Sequence, residues 1–263
     1  MTHPNIAGFE YGYSSNSQLS TSYHYHNSYE IYMLIDGQND CFIDDCTYLL
    51  NKNDMVFIEP NVVHKSNYNS EKYTRCVINF TNETLPEYII KAIKPVFKEH
   101  IYTPKNPSFI KKLLIQMGAE YDKNDAFSIN LIIGYLSELT AYCTRNIPVD
   151  YRATSTNPSI IRLVKHINAN FGEDITRTQA SKLLNMSEGH LSRLFRQSTG
   201  FGFNEYLRLI RIKNSKKLLL NTKKSVHQVA ADCGFADSNY FSKIFKEDAG
   251  LSPLQYRKQN HRD

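Results

Sequence analysis

HLSRLFRQSTG (190–200) is matched fifty residues later by YFSKIFKEDAG (240–250). Both segments place aromatic and aliphatic residues, a serine, basic residues and a final glycine at the same positions. A shift of fifty residues aligns further pairs: Ala180 with Ala230, Ser192 with Ser242, Phe195 with Phe245, Tyr206 with Tyr256, Arg193 with Lys243, and Arg196 with Lys246. The repeat predicts two copies of one structural unit in the C-terminal part of the chain.

Each copy is predicted to consist of a short helix, a tight turn and a second helix. The first helices are expected at 177–184 and 226–233, with the turns LNMS and GFAD. Ser187 and Asp237 fit as N-caps of the second helices, because their side chains can accept a hydrogen bond from a free backbone N–H. Two helices joined by so short a turn predict helix-turn-helix units at about 176–200 and 226–250.

The second helix of each unit is predicted to turn its apolar side inward and a basic side outward. A helix-turn-helix unit places this second helix in the major groove of DNA. Arginine can read guanine, asparagine can read adenine, and lysine can neutralise phosphates. The predicted DNA-binding residues are Glu188, Gly189, His190, Ser192, Arg193 and Arg196 in the first unit and Ser238, Asn239, Ser242, Lys243 and Lys246 in the second. The alternative, a helical repeat that only packs, does not account for basic outward positions that recur in both copies.

Charge is distributed unevenly between the two halves of the chain. Residues 152–263 contain 19 Lys and Arg against 9 Asp and Glu, whereas residues 1–151 contain 12 against 17. The net charges are +10 and −5, so the C-terminal half is the half suited to a polyanion. The segment 203–220 is long enough for one helix, which would hold the two units at a fixed spacing.

The N-terminal part reads as strands followed by helices. Short segments rich in β-branched and aromatic residues predict strands at 21–27, 29–35, 40–44, 47–50, 55–60 and 73–80. Such a series favours an antiparallel sandwich or barrel. Helices follow at 107–121 and 125–143, and the second has a predicted apolar stripe of Phe127, Leu131, Tyr135, Leu139 and Tyr142. These helices either cover a sheet or pair with a second copy of the chain.

The predicted fold class is therefore α+β with two domains. Residues 1–145 form an antiparallel β-barrel domain with helices, and residues 159–263 form an all-α domain with the two helix-turn-helix units. Residues 146–158 contain proline and small polar residues with little periodicity, which is typical of a linker.

The C-terminal part resembles the AraC/XylS-type bacterial transcription regulators over about residues 159–259. The resemblance is carried by SVHQVAADCGFADSNYFSKIFK with GLSPLQYR, and by HLSRLFRQSTGFGFNEYL with IRIKNSKKLLL. It implies that the outward residues contact promoter DNA and that activation occurs through RNA polymerase. Two positions depart from the family: Gly189 lacks a side chain where relatives often contact a base, and Ser215 replaces an alanine usual in the connecting helix.

HYHNSYE places His24, His26 and Glu30 at even offsets, on one face of a predicted strand. With Gly37 six residues after Glu30, the spacing matches the first motif of the cupin barrels. NKNDMVFIEPNVVH supplies a further histidine, His64, although Asn53, Glu59 and Asn61 replace the Gly, Pro and Gly of the second cupin motif. The N-terminal domain is thus expected to be cupin-like.

Two interpretations of the histidines remain open. Three histidines and a carboxylate suffice to bind Fe, Mn, Ni or Zn, which would make the domain a metal-dependent sensor or enzyme. The same groups can bind a small-molecule effector without metal, and the resemblance implies an effector pocket here. We expect the second, with no cofactor and no catalytic residue; Arg75 either binds the effector or pairs with an acid such as Glu59. The predicted effector residues are Tyr11, Tyr13, His24, His26, Glu30, Tyr32, His64 and Arg75.

The sequence predicts a ligand-responsive transcription regulator, an activator of carbohydrate-utilisation genes, and not an enzyme. Its expected partners are double-stranded promoter DNA, a small-molecule effector such as a sugar, and a second copy of the chain. A constitutive DNA-binding protein, whose barrel serves only for dimerisation, is the remaining alternative. The chain shows neither a signal peptide nor an apolar run of about 20 residues, so a cytoplasmic location without membrane contact is expected.

Overall fold

A computed structural model describes residues 6–16, 25–68, 72–146 and 157–260. The chain divides into two compact units, Met1–Ser155 and Thr156–Asp263. The first contains strands and helices and the second contains helices, so the predicted α+β class with two domains is confirmed. Most of the predicted linker lies outside the described residues, and the domain boundaries given above stay a prediction.

The first unit contains two antiparallel sheets. The strands are β1 (Phe9–Asn16), β2 (Tyr29–Asp36), β3 (Asn39–Ile43), β4 (Cys46–Leu50), β5 (Met55–Ile58), β6 (His64–Tyr68), β7 (Tyr73–Phe80) and β8 (Ile101–Tyr102). One sheet has the order β1-β7-β2-β5-β8 and the other the order β4-β3-β6. Asp44 and Asn53 occupy turns with φ of 56° and 77°, a conformation that short polar side chains tolerate.

Alternation along β2 separates two cores. Ile31 and Met33 belong to a core shared with the helices, whereas Tyr32 and Leu34 belong to a core with residues of β3 and β4. Since side chains alternate between the faces of a strand, Glu30 shares the face of Tyr32. Glu30 therefore points into the space between the two sheets.

Three strands were not predicted, and one predicted strand is not confirmed. β1 contains glycine and several small polar residues, and β6 is the polar segment HKSNY, so neither shows an apolar alternation. β8 has only two residues. The predicted strand at 21–27 falls mainly on undescribed residues, and its described end, Tyr25 to Asn27, is not a strand.

The helices of the first unit are α1 (Glu87–Glu99), α2 (Pro107–Lys123) and α3 (Ser128–Arg145). The predicted apolar stripe of α3 is wrong at its start. Phe127 and Leu131 are exposed, and the buried stripe contains Ile132 and Leu136 instead. Both stripes have helical spacing, and only the position of the neighbouring sheet and helices decides which one is buried.

The second unit consists of α4 (Pro158–Asn170), α5 (Arg177–Leu183), α6 (Glu188–Thr199), α7 (Phe203–Asn221), α8 (Val226–Asp232), α9 (Ser238–Ala249) and α10 (Pro253–Asn260). The predicted caps are present: the Ser187 side chain accepts from His190 N–H, and the Asp237 side chain accepts from Asn239 N–H. The helix α7 is continuous between the two helix-turn-helix units, as predicted.

The two units differ by one residue in their turns. The capping boxes of α5 and α8 start at Thr176 and Ser225, which are 49 residues apart, whereas the caps of α6 and α9 are 50 apart. The pairing of Ala180 with Ala230 is therefore wrong, because Val229 occupies the position equivalent to Ala180. The second turn contains the additional residue.

Candidate nucleic-acid interface and effector site

The helix α6 presents a basic surface above a buried apolar side. Leu191 and Phe195 are fully buried, while Arg193 and Arg196 are exposed on the opposite side. His190 and Gly189 are also exposed, and a Cβ added to Gly189 would be 3.8 Å from the nearest Arg193 nitrogen. A side chain fits at this position, so glycine is not required there by packing.

The helix α9 repeats this arrangement. Phe241 and Phe245 are fully buried, and Asn239, Lys243 and Lys246 are exposed. The partly buried serines of the two helices also behave alike: the Ser192 hydroxyl donates to Glu188 O and the Ser242 hydroxyl donates to Ser238 O, both at 2.9 Å. Each serine thus keeps only its oxygen lone pairs for an external partner.

Glu188 differs from the other predicted DNA-binding residues because its carboxylate is bound within the unit. Arg177 Nε donates to Glu188 Oε2 at 2.8 Å, and Thr178 Oγ1 donates to Oε1 at 2.6 Å. The hydrogen bonds from Thr178 and Arg177 lower the pKa of Glu188. Both oxygens therefore have a donor on α5 in the absence of DNA.

His26, Glu30 and His64 are brought together between the two sheets. His26 precedes β2, Glu30 belongs to β2, and His64 begins β6 of the other sheet. His26 Nε2 lies 3.1 Å and His64 Nε2 lies 3.7 Å from the same Glu30 oxygen, Oε2. The backbone N–H of Asn61, a residue with φ of 64°, donates to His26 O and ties the two segments together. Asparagine adopts this left-handed conformation at the position where the cupin motif has glycine.

Burial and charge oppose each other in this cluster. Burial raises the pKa of Glu30, but the hydrogen bonds and charges of the two histidines outweigh it and lower the pKa below its ordinary value. For His26, burial lowers the pKa, and the hydrogen bond to Glu30 more than offsets this, so the net shift is upward. Glu30 is therefore an ionised carboxylate that requires positive charge beside it.

Other predicted effector residues lie on the same face between the sheets. Tyr32 is buried, and its hydroxyl accepts from Asn39 Nδ2 at 3.2 Å. Arg75 lies opposite Leu34 in the sheet, donates from Nε to Ser14 Oγ at 3.4 Å, and lies over the Tyr73 ring. These contacts replace the predicted pairing of Arg75 with Glu59 among the interactions described for this side chain.

The structure does not place Tyr11 and Tyr13 with this group. Tyr11 lies opposite Ile78 in the sheet and packs on the helix-facing core, where a Cβ on Gly118 would be 2.6 Å from its ring. Tyr13 lies on the same face of β1 and is 51% exposed. The strand alternation of β1 thus directs both rings away from the space between the sheets. His24 lies outside the described residues.

Two buried asparagines in this space were not predicted. Asn39 is fully buried, and its Oδ1 has no hydrogen bond within the described part of the chain. Asn79 lies directly opposite Glu30 on β7, and its Oδ1 is likewise buried and without a donor among the described residues. Their sequence signal is weak, because a single polar residue in an apolar strand is also typical of an edge or a turn.

The described helices include none that is both long enough and apolar enough to cross a membrane.

Comparison with known proteins matches both units to described families. The AraC-like ligand binding domain matches residues 6–133, and a helix-turn-helix domain matches residues 180–259. The chain is 33% identical to the Msm operon regulatory protein of Streptococcus mutans over 49% of this chain and 48% of the relative. It is 30% identical to the HTH-type transcriptional activator RhaR of Yersinia pestis over 57% of this chain and 52% of the relative. The chain thus spans about half the length of these curated relatives.

Among solved structures, the C-terminal domain of AraT, a response regulator from Geobacillus stearothermophilus, is 34% identical. The match covers 40% of this chain and 88% of that domain, with a TM-score of 0.39.

The fold and the two sites define a class of protein in which an N-terminal β domain of the ligand-binding type is followed by a pair of helix-turn-helix units. Both family matches occur in this order along the chain. The chain belongs to the AraC/XylS-type family of transcription regulators.

Proposed function

We propose that this protein is a ligand-responsive transcription regulator that activates carbohydrate-utilisation genes. The observation that carries the proposal is the pair of exposed basic helices, α6 and α9, built on equivalent buried cores. Double-stranded promoter DNA is the partner of this surface, with Arg193, Arg196, Lys243 and Lys246 as its cationic contacts. The name of the relative RhaR, a transcriptional activator, supports activation, and RNA polymerase is the partner that activation requires.

The effector site lies between the two sheets of the first unit. Its groups include a carboxylate, two imidazoles, the Tyr32 hydroxyl and the unpaired Asn39 oxygen. A sugar offers several hydroxyl groups that both donate and accept, which suits such a mixed set of donors and acceptors. Exposed apolar side chains on α2 and α3, including Ile115 and Leu131, support homodimerisation through these helices. No catalytic step forms part of this function.

Replacement of Arg193 by alanine tests the DNA-binding surface. The full chain is first used to select its binding site from random DNA, and affinities are then measured by fluorescence anisotropy on the selected site and on unrelated DNA. If Arg193 reads a base edge, Arg193→Ala costs about 1–3 kcal/mol on the selected site and less on unrelated DNA.

The control variant is Arg145→Ala, which removes the same charge from an exposed position on α3 and is expected to leave both affinities unchanged. Equal losses of Arg193→Ala on both DNAs would show a phosphate contact only. Unchanged binding of Arg193→Ala to both would contradict the assignment of α6 as a recognition helix.

A further inference from the structure

The hydrogen bonds of the two histidines fix where each ring carries its proton. His26 Nδ1 lies 2.9 Å from Ser28 O, and His64 Nδ1 lies 2.9 Å from Val62 O. A carbonyl oxygen only accepts, so each Nδ1 must carry the hydrogen. In the neutral ring the other nitrogen, Nε2, then has the lone pair.

Both of these nitrogens are directed at one carboxylate oxygen. His26 Nε2, His64 Nε2 and a Glu30 oxygen all lie within 4.8 Å of one another. Two lone pairs and an anionic oxygen repel one another unless a cation lies between them. The position is also withdrawn from solvent, since the side chains of Glu30 and His64 are only 11% and 4% exposed.

We propose that His26 Nε2, the Glu30 carboxylate and His64 Nε2 bind one divalent ion of a first-row transition metal. Two imidazoles and one carboxylate form a ligand set that suits zinc and its neighbours in the series. Backbone carbonyls that hold the opposite ring nitrogen orient metal-binding histidines in the same way. The cluster therefore has its ligands and the groups that orient them.

Three protein ligands leave at least one coordination position for another molecule. Asn79 lies next to Glu30 on the same face, and its buried Oδ1 lacks a donor among the described residues. A metal-bound water, or a hydroxyl of a bound effector, supplies the O–H group that this oxygen requires. If the proposed effector function holds, the metal gives the site a preference for effectors with oxygen donors that can complete its coordination.

The experiment measures metal binding to the full chain. Chelator-treated protein is titrated with Zn²⁺ by calorimetry, and with Co²⁺ while the visible absorption of the bound ion is recorded. We expect one saturable site per chain and a visible Co²⁺ spectrum that Zn²⁺ displaces. Glu30→Gln and His64→Gln each remove one ligand and are expected to weaken binding by about 100-fold or more, since loss of an orienting partner alone costs roughly 10–100-fold.

His100→Gln is the matched control. His100 lies in the same unit with its Nδ1 3.2 Å from Phe57 O, but it is not part of the cluster. It is expected to keep wild-type affinity, and circular dichroism shows whether each variant is folded. If His64→Gln does not fold, the Co²⁺ spectrum of the wild type and the more exposed ligand variant His26→Gln decide the matter.

Two results would overturn the proposal. The first is the absence of a stoichiometric site in the wild type, which would leave a proton on His26 Nε2 as the only cation beside Glu30. The second is binding of equal strength in wild type and ligand variants. Since no DNA is present in these measurements, failure here leaves the proposed DNA-binding function to its own test.

Discussion

Glu188 illustrates how a residue on the DNA-facing helix can act within the protein. A carboxylate near DNA phosphates is unfavourable unless it accepts from a base or is neutralised. Here Arg177 and Thr178 already donate to both oxygens. We therefore interpret Glu188 as a residue that holds α6 against α5 and restrains Arg177, instead of a base-reading residue. The second unit has Ser238 at the equivalent position, without a carboxylate.

Replacement of Glu188 by glutamine separates these two roles. If the carboxylate restrains Arg177, Glu188→Gln leaves one more uncompensated positive charge near the DNA. Affinity then rises on the selected site and on unrelated DNA, and the slope of log affinity against log salt steepens by about one phosphate contact. Anisotropy titrations over a range of salt concentrations measure both. Glu138→Gln, the same change on an exposed position of α3, is the control. Weaker binding to the selected site alone would show that Glu188 accepts from a base.

Single residues were predicted well where the spacing alone determines the face. The even offset placed Glu30 in the space between the sheets, and His64 joins it from the other sheet. Tyr11 and Tyr13 were misplaced because β1 itself was not predicted, so the face on which they lie was unknown. Asn39 and Asn79 were missed since their significance depends on burial and on the absence of a donor, neither of which a sequence displays.

At the scale of elements, the junction between the helix-turn-helix units depends on Arg211 of α7. Its Nε donates to Phe171 O and its Nη2 donates to Glu173 O, both at 2.8 Å, and its guanidinium lies over the Phe235 ring. Gly234 in the second turn, with φ of 76°, packs directly against this guanidinium. The connecting helix is therefore fastened both to the segment that precedes α5 and to the turn that precedes α9.

Replacement of Gly234 by alanine tests this junction. A Cβ there would lie 2.7 Å from Arg211 Nη2, and the hydrogen bonds to the carbonyls prevent the guanidinium from moving away freely. We expect a loss of about 1–2 kcal/mol in the free energy of unfolding from the left-handed backbone and roughly 1–3 kcal/mol more from overpacking. Urea denaturation measures both contributions.

Gly250→Ala provides the comparison for this variant. Gly250 has a similar φ of 70° but nothing within 4 Å of an added Cβ, so only the backbone cost applies. Equal losses in the two variants would show that Arg211 yields without cost and does not fasten the junction.

Elements were predicted where local signals are strong and were shifted where tertiary contacts decide. The helices α2 and α7, the four caps and boxes of the repeat, and the central strands follow from periodicity and capping residues. The register of the repeat failed by one residue in the first helices, because an alanine matched an alanine at a spacing of 50 although the helix begins 49 residues apart. Capping boxes at Thr176 and Ser225 would have given the correct alignment.

At the scale of the whole molecule, the uneven charge predicts which unit binds which partner. The net charge of +10 belongs to the half that carries the basic helices, and that of −5 belongs to the half that carries the inter-sheet site. An acidic first half does not contribute to phosphate neutralisation, so an effector bound there influences DNA only through the equilibrium between DNA-competent and incompetent states. A ligand shifts that equilibrium only if it binds the two states with different affinities.

This equilibrium makes a reciprocal prediction for the full chain. A panel of mono- and disaccharides is screened by thermal shift, with and without chelator, and the dissociation constant of a stabilising sugar is measured in the absence and presence of the selected DNA. If the sugar changes DNA affinity by a certain factor, DNA must change sugar affinity by the same factor, typically about 5–150-fold. A sugar that acts equally with and without chelator binds independently of metal. DNA affinity that is the same with every stabilising sugar would instead identify a constitutive DNA-binding protein, whose first unit serves for assembly and not for sensing.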